Sequence, residues 1–320
     1  MQEKMTRRSA LALTAGALLA PSLARAATAS AITVAGVPED SITPVLWAQQ
    51  SGIFKRNGLD VTVQPQNSGS AIASGVAGGS YQIGKSSLTS LIAAHGRGVP
   101  LMLVAPAGLW DTNNPTIEMI VRTDSKIQKP ADLNGKTIAV SSLSDLYAVS
   151  IKAWVDQNGG DAGSLKLVEM PISAVPPAIE QGRVDASALT FPQLQEALDS
   201  KKVRVIGKPY DAVAKQFLYA AWFTTKDYAQ KNPEVISAFA RSVREASTYA
   251  NGHHADTVPL LAKFTGIPPA ELSAARRATY GTTLDPKLIQ PVIDTCAKYK
   301  LIRTAFEARE FISPIVAALR

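Results

Sequence analysis

What most constrains this chain is an alternation: short β-rich runs, each followed by a helix-like stretch that stops at glycine, recur from residue 31 to about residue 190. A helix between two strands carries the chain back to the edge where it started, so such strands pair largely in parallel, under helical cover. The pattern predicts an α/β fold with residues 31–35 as the first strand, 44–50 as a helix closed by Gly52, and 59–63 as the second strand. A helix over 70–77 ends at Gly78-Gly79, a strand over 81–83 follows, a helix over 88–95 stops at Gly96, and 101–104 is a strand again. Further strands are expected over 118–121, 137–140, 167–169 and 184–188, with a helix over 174–181. The helix after 137–140 starts among Ser141, Ser142, Ser144 and Asp145, buries Leu146, Val149, Ala153 and Trp154 on one face, and stops at Asn158-Gly159-Gly160. Beyond residue 224 the periodicity turns helical, over 233–251, 257–264, 269–280, 286–299 and 305–319. The order helix, glycine, short strand, polar loop occurs at 70–87 and again at 174–190, as two similar halves would give.

The amino terminus reads as an export signal. Lys4, Arg7 and Arg8 precede a mildly apolar run to Ala20, and Ala24-Arg25-Ala26 offers a cleavage site. The Arg7-Arg8 pair and the diluted apolar core favour the twin-arginine route, although Ala10 stands where that signal usually has phenylalanine. Nothing later is apolar enough over about 18 residues to span a membrane. Setting residues 1–26 aside lowers the net charge from +7 to +4, with 29 Lys/Arg against 25 Asp/Glu, too mild a balance to argue for nucleic acid. Cys296 is the one cysteine, so neither an intrachain disulfide nor a lipid-bearing cysteine near the signal is expected. A free periplasmic protein, monomeric and built from two compact domains, is the expectation.

One motif points elsewhere. Gly79, four residues, then Gly84-Lys85-Ser86 spells a phosphate-binding P-loop. A true P-loop follows a buried strand and opens a helix at Lys-Ser, whereas here a helix precedes Gly79 and the expected strand falls inside the loop. The nucleotide reading is therefore rejected. What survives is a placement: Lys85, Ser86 and Ser87 stand between a strand and a helix, where open α/β sheets bind ligands. Ser68, Gly69 and Ser70 share that placement, as do Ser141, Ser142 and Ser144, and Thr190, Phe191 and Gln193. Hydroxyls and positive helix ends at these loops suit a small anion or a strongly polar ligand, unless each serine only caps its own helix.

Four segments, taken in series, resemble the nitrate/sulfonate/taurine-type substrate-binding proteins of ABC importers. They are PVLWAQQSGIFKRNGLDV from Pro44 to Val61, GVPL at 98–101, KPADLNGKTIAV from Lys129 to Val140, and QGRVDA at 181–186. The resemblance implies a two-lobed periplasmic binding protein, type II-like, with two crossing strands as hinge and a helical C-terminal part. It puts residues 27–117 and 222–320 in lobe one and 118–221 in lobe two, crossing near 117–121 and 219–223, with solute enclosed by hinge closure. It adds the loop from Pro38 to Thr43, hence Ser41 and Thr43, and also Asp145, to the cleft. Lys85 stands where many relatives carry a small uncharged residue, and Thr190-Phe191-Pro192 where they carry a Trp-Glu-Pro-like turn. A cation gained and a carboxylate lost favour an organic anion, an alkyl or aromatic sulfonate or carboxylate. Trp110, Phe191 and Trp222 would wall a flat ligand or else pack in the core.

The partners implied are the solute and an inner-membrane permease, with no metal or cofactor. Two enzyme types on the same fold are alternatives, a sulfinate desulfinase and a thiamine-pyrimidine synthase, and so is binding of a neutral pyrimidine. Cys296 falls in a C-terminal helix away from any strand end, His95 ends a helix, and the consecutive His253 and His254 cannot share a helix face. No catalytic residue is therefore expected.

Overall fold

The computed structural model describes residues 29–318. The expected export signal at 1–26 and the cleavage site near Ala26 lie outside the described residues.

Thirteen strands among the described residues form three sheets. In chain order they are β1 (Ser30–Gly36), β2 (Leu59–Pro65), β3 (Ile83–Ser87), β4 (Leu101–Pro106), β5 (Gly108–Asp111), β6 (Ile117–Arg122), β7 (Thr137–Val140), β8 (Lys166–Glu169), β9 (Ala186–Thr190), β10 (Val203–Gly207), β11 (Gln216–Leu218), β12 (Ala220–Thr225) and β13 (Thr279–Tyr280). The first sheet runs β2-β1-β3-β12-β4 and the second β10-β6-β9-β7-β8. In the first, β1 pairs in parallel with β2 and β3, and β12 runs antiparallel between β3 and β4. In the second, β7 pairs in parallel with β8 and β9, and β6 runs antiparallel between β9 and β10. The two sheets share one topology, read in opposite directions, and the echoed segments at 70–87 and 174–190 deliver β3 and β9 to the same middle position. The α/β class and the periplasmic binding protein architecture expected from the sequence hold.

The helices follow their apolar spacing. Helix Pro233–Gly252 buries Ile236, Phe239, Ala240, Val243, Ala246, Ser247 and Ala250, a stripe at intervals of three and four, while its other face stays in water. Phe239 stacks on Phe54 at 5.8 Å and meets Trp222 edge-on at 5.5 Å, tying this helix to β12 and to helix Ile53–Arg56. Each such fully buried side chain contributes about 1.5–3 kcal/mol of transfer free energy.

Four expectations need correction. The strand expected over 81–83 lies at Ile83–Ser87, because antiparallel pairing with β12 supplies hydrogen-bond partners through Ser87. Lys85 and Ser86 are thus inside the strand, and Ser87 caps the next helix, Leu88–Gly96. The expected crossing segments are sheet strands: β6 lies in the second sheet and β12 in the first. The chain passes between the sheets through the antiparallel pair β5 and β11, with β13 added on the free edge of β5. The helix expected over 269–280 stops at Ala274, since the following residues extend, Ala278 N–H donating to Asp40 and Tyr280 N–H to Asn251. The last two expected helices shorten to Gln290–Lys298 and to single turns at Ala308–Phe311 and Pro314–Ala317, separated where Ile312 bridges to Leu103.

Candidate functional site

A cavity of about 380 Å³ opens where the carboxyl ends of β1, β3, β7 and β9 face one another across the two sheets. Ligands of open α/β sheets collect at such strand ends, because the loops there carry free backbone and side-chain polar groups. Of the residues expected at the site, Ser41, Ser87, Ser141, Asp145, Thr190 and Phe191 line this cavity. Gly69, Ser70, Ser86 and Ser144 line a neighbouring groove instead, between helices Gly69–Ala77 and Leu88–Gly96. Ser68 caps the first of those helices, accepting from Ala71 N–H at 3.2 Å. Ser142 meets Ser144 through their hydroxyls at 3.1 Å, and Gln193 opens helix Gln193–Asp199; neither lines the cavity.

Trp110 and Trp222 are corrections. Both are fully buried: Trp110 donates to Asp211 at 3.1 Å and packs edge-on against Tyr210, and Trp222 packs on Phe239. They are core residues because each sits on a strand flanked by two others, where an apolar ring is worth more against its neighbours than against a solute. The aromatic wall of the cavity is made by Tyr147, Tyr210 and Tyr219 together with Phe191. Burial raises all three phenols, so they stay protonated and can donate.

Charge in the cavity is arranged in pairs. The Lys85 side chain is only 1% exposed, and its ammonium donates to Glu39 and, at 2.7 Å, to the Ser41 hydroxyl. Burial alone would raise the Glu39 carboxyl, but the Lys85 charge and hydrogen bond, with Ser41, hold it below the usual carboxylate range. Asp40 is gripped by Arg277 through two parallel bonds of 2.9 and 2.7 Å, and also accepts from Ala278 N–H and the Tyr280 hydroxyl. Burial opposes its ionisation too, and Arg277 again overcomes it. Thr43, expected to touch ligand, is buried beneath this clamp and donates to the Asp40 carbonyl at 2.7 Å.

Asp145 caps helix Leu146–Gln157, accepting from Ala148 N–H at 2.9 Å, from Ser142 N–H at 3.0 Å and from the Ser141 hydroxyl. Burial outweighs these bonds, and its carboxyl is raised. The positive end of this helix is thus already met by a carboxylate of the chain. Arg276 lines the cavity with about half its side chain exposed.

The sequence reading had reached the loop of Glu39 and Asp40 but assigned neither a ligand role, and it missed the tyrosines, Arg276 and Arg277. No local spacing marks them: Arg277 meets Asp40 across 237 positions of sequence. Cys296 is buried in helix Gln290–Lys298, and burial pushes its thiol up to about 12, the reverse of a nucleophile. Among the described residues there is no cluster of three or more His, Cys, Asp or Glu placed to hold a metal ion, and no helix is long and apolar enough to cross a membrane.

A family model described as NMT1/THI5 like matches residues 39–256, more than half of the chain. The taurine-binding periplasmic protein of Escherichia coli (strain K12) is 28% identical over 258 residues, covering 76% of each chain. The yeast 4-amino-5-hydroxymethyl-2-methylpyrimidine phosphate synthase THI11 (Saccharomyces cerevisiae) is 23% identical over 216 residues, 64% of this chain and 62% of the enzyme. The crystal structure of the periplasmic aliphatic sulphonate binding protein from Escherichia coli superposes with a TM-score of 0.74 at 20% identity, over 89% of this chain and 92% of that one.

Proposed function

Because the chain belongs to the NMT1/THI5-like family, we propose that it is the solute-binding component of an ABC import system, which captures a small organic solute bearing an acidic group and hands it to a membrane permease. The observation that carries this is the cavity between the strand ends of the two sheets, lined from both and of a size suited to one small molecule. Arg276, the Thr89 hydroxyl at the start of helix Leu88–Gly96, and Thr190 supply positive and donor groups for a sulfonate or carboxylate. The tyrosine wall suits an alkyl or aromatic body. The taurine and aliphatic sulfonate binders among the relatives favour an acidic solute and a periplasmic address. Hinge closure of the two lobes, joined through β5 and β11, would enclose it.

A ligand that binds only the native state raises the melting temperature, by about 2.7 kcal/mol of added stability at a hundredfold excess over Kd. Thermal-shift titration against alkanesulfonates, taurine, aromatic sulfonates and carboxylates, nitrate and an aminopyrimidine tests the reading. Stabilisation by at least one sulfonate or carboxylate, with the solute recovered unchanged, is expected. Stabilisation by the aminopyrimidine alone would move the protein to the neutral-pyrimidine reading, which the relationship to the yeast synthase favours. Turnover of any ligand would make it an enzyme.

A further inference from the structure

Lys85 is the residue whose charge was expected to meet the solute, yet it stands behind Glu39, and what lines the cavity is the carboxylate. The Glu39 side chain is 51% exposed against 1% for Lys85. Glu39 Oε1 accepts from both the Lys85 ammonium and the Ser41 hydroxyl, the latter at 2.9 Å, whereas Oε2 has no hydrogen bond among the described residues. The other two acids of the cavity differ in this respect. Both oxygens of Asp40 are taken by Arg277, Ala278 and Tyr280, and both of Asp145 by Ser141, Ser142 and Ala148. Glu39 lines the cavity together with Tyr147, Tyr210 and Tyr219. A carboxylate oxygen with spare acceptor capacity, in a cavity that three tyrosine rings also line, is a surrounding that suits an ammonium group.

We propose that Glu39 is the specificity-determining residue of the cleft and that its Oε2 receives a protonated amine, so that the captured solute is a zwitterion carrying an ammonium group besides its acidic group. The inference rests on the solute-binding reading above and goes beyond it in naming the solute's second charge. When closure removes water, an acceptor left facing the cavity costs free energy unless the ligand brings a donor. A solute with acidic oxygens alone would set acceptor against acceptor there. Lys85 does not relieve that conflict, because its ammonium is buried on the far side and already donates to Glu39 and Ser41.

Two matched pairs test this by isothermal titration on the exported protein: 2-aminoethanesulfonate against ethanesulfonate, and 4-(aminomethyl)benzenesulfonate against 4-methylbenzenesulfonate. The aminated member of at least one pair is expected to bind about tenfold tighter or more, the ratio a charge-assisted hydrogen bond gives. Glu39→Gln is expected to bring that ratio close to one. Equal affinity within every pair that binds overturns the amine inference and leaves the acid-binding reading standing. A ratio that survives Glu39→Gln in a folded variant overturns the assignment to Glu39. Failure of all four compounds to bind overturns the amine inference, whereas the acid-binding reading falls only if the wider thermal-shift set of sulfonates and carboxylates fails as well. Since Glu39→Gln leaves Lys85 buried without its carboxylate, the wild-type ratio decides the amine inference even if that variant does not fold. Glu39→Asp, which keeps the charge on a shorter side chain, tests the assignment: it is expected to lower the ratio, and an unchanged ratio overturns the role of Glu39.

Discussion

At the scale of single residues, the Asp40–Arg277 clamp governs the loop that carries Glu39 and Ser41 into the cavity. Removing one partner strands a buried charge, and breaking such a pair costs about 3–5 kcal/mol. Arg277→Ala should lower stability by that order in urea denaturation, and Arg277→Lys should rescue it only in part, because an ammonium cannot make both parallel bonds. The same neighbourhood sets the response to acid. Glu39 and Asp40 are held below the usual carboxylate range, so the unfolded chain takes up their protons first. Their contribution is complete above about pH 5 and is lost as the pH falls from their unfolded values through their folded ones. His254 acts earlier. Its Nε2 is buried without a partner among the described residues, and burial, then Arg277, hold the ring below its usual 6.5. Stability conferred by a neutral His254 is complete above pH 6.5 and falls as acid forces a proton onto it. Asp145 works in the opposite sense: with its carboxyl raised, it recovers stability as its folded form protonates. Melting temperature followed from pH 7.5 down to about pH 3 should fall in two stages, and His254→Asn should reduce the first, leaving the part that His95, also lowered by burial, contributes.

At the scale of elements, the approach of the connecting ribbon to the cavity is controlled by a missing side chain. A Cβ on Gly108 of β5 would lie 2.1 Å from the Tyr219 ring, which lines the cavity just ahead of β12. Backbone pairing of β5 with β11 and β13 fixes one side of that contact, so Gly108→Ala must displace the tyrosine. Overpacking of this kind costs about 1–3 kcal/mol. The variant should bind solute about tenfold more weakly in a fluorescence titration, and Tyr219→Ala in the same chain should restore part of its stability. The contrast also shows where legibility in the sequence ended. Strands of the parallel core, such as β1, β2 and β7, were readable because apolar residues and bounding turns mark them locally. Strand β3 was misplaced because Lys85, Ser86 and Ser87 are extended by pairing with β12, more than 130 positions away. Ser41 and Asp145 came from the family resemblance, whereas three of the loops at the strand ends were legible in the same local way and bring Ser87, Ser141, Thr190 and Phe191 to the cavity. Which of their side chains point inward was not, since Lys85 and Thr43 turn into networks whose other members come from distant segments.

At the scale of the whole molecule, the two sheets are held by more than the ribbon of β5, β11 and β13. Lys208 donates to the Thr112 carbonyl at 3.0 Å, binding the two connecting segments to each other. Helix Gln290–Lys298 packs against helix Leu88–Gly96 on the first sheet and against helix Leu146–Gln157 on the second. Just beyond its end, the Tyr299 hydroxyl donates to Asp156 at 2.7 Å, a bond across 143 positions that joins the two halves outside the cavity. The hinge rotation proposed above would either pivot about this contact or break it. The hydrogen bond contributes about 0.5–1.5 kcal/mol, which bounds how far its loss can bias the proposed equilibrium between open and closed forms. Tyr299→Phe should therefore change solute affinity by about two- to tenfold at most, and by the same factor for every solute, because the residue lies outside the cavity. Titration of wild type and variant with two solutes of different affinity checks both parts. A uniform change identifies the C-terminal helix as a brace on closure, whereas a change in the ratio between solutes would mean that the contact reshapes the cavity itself.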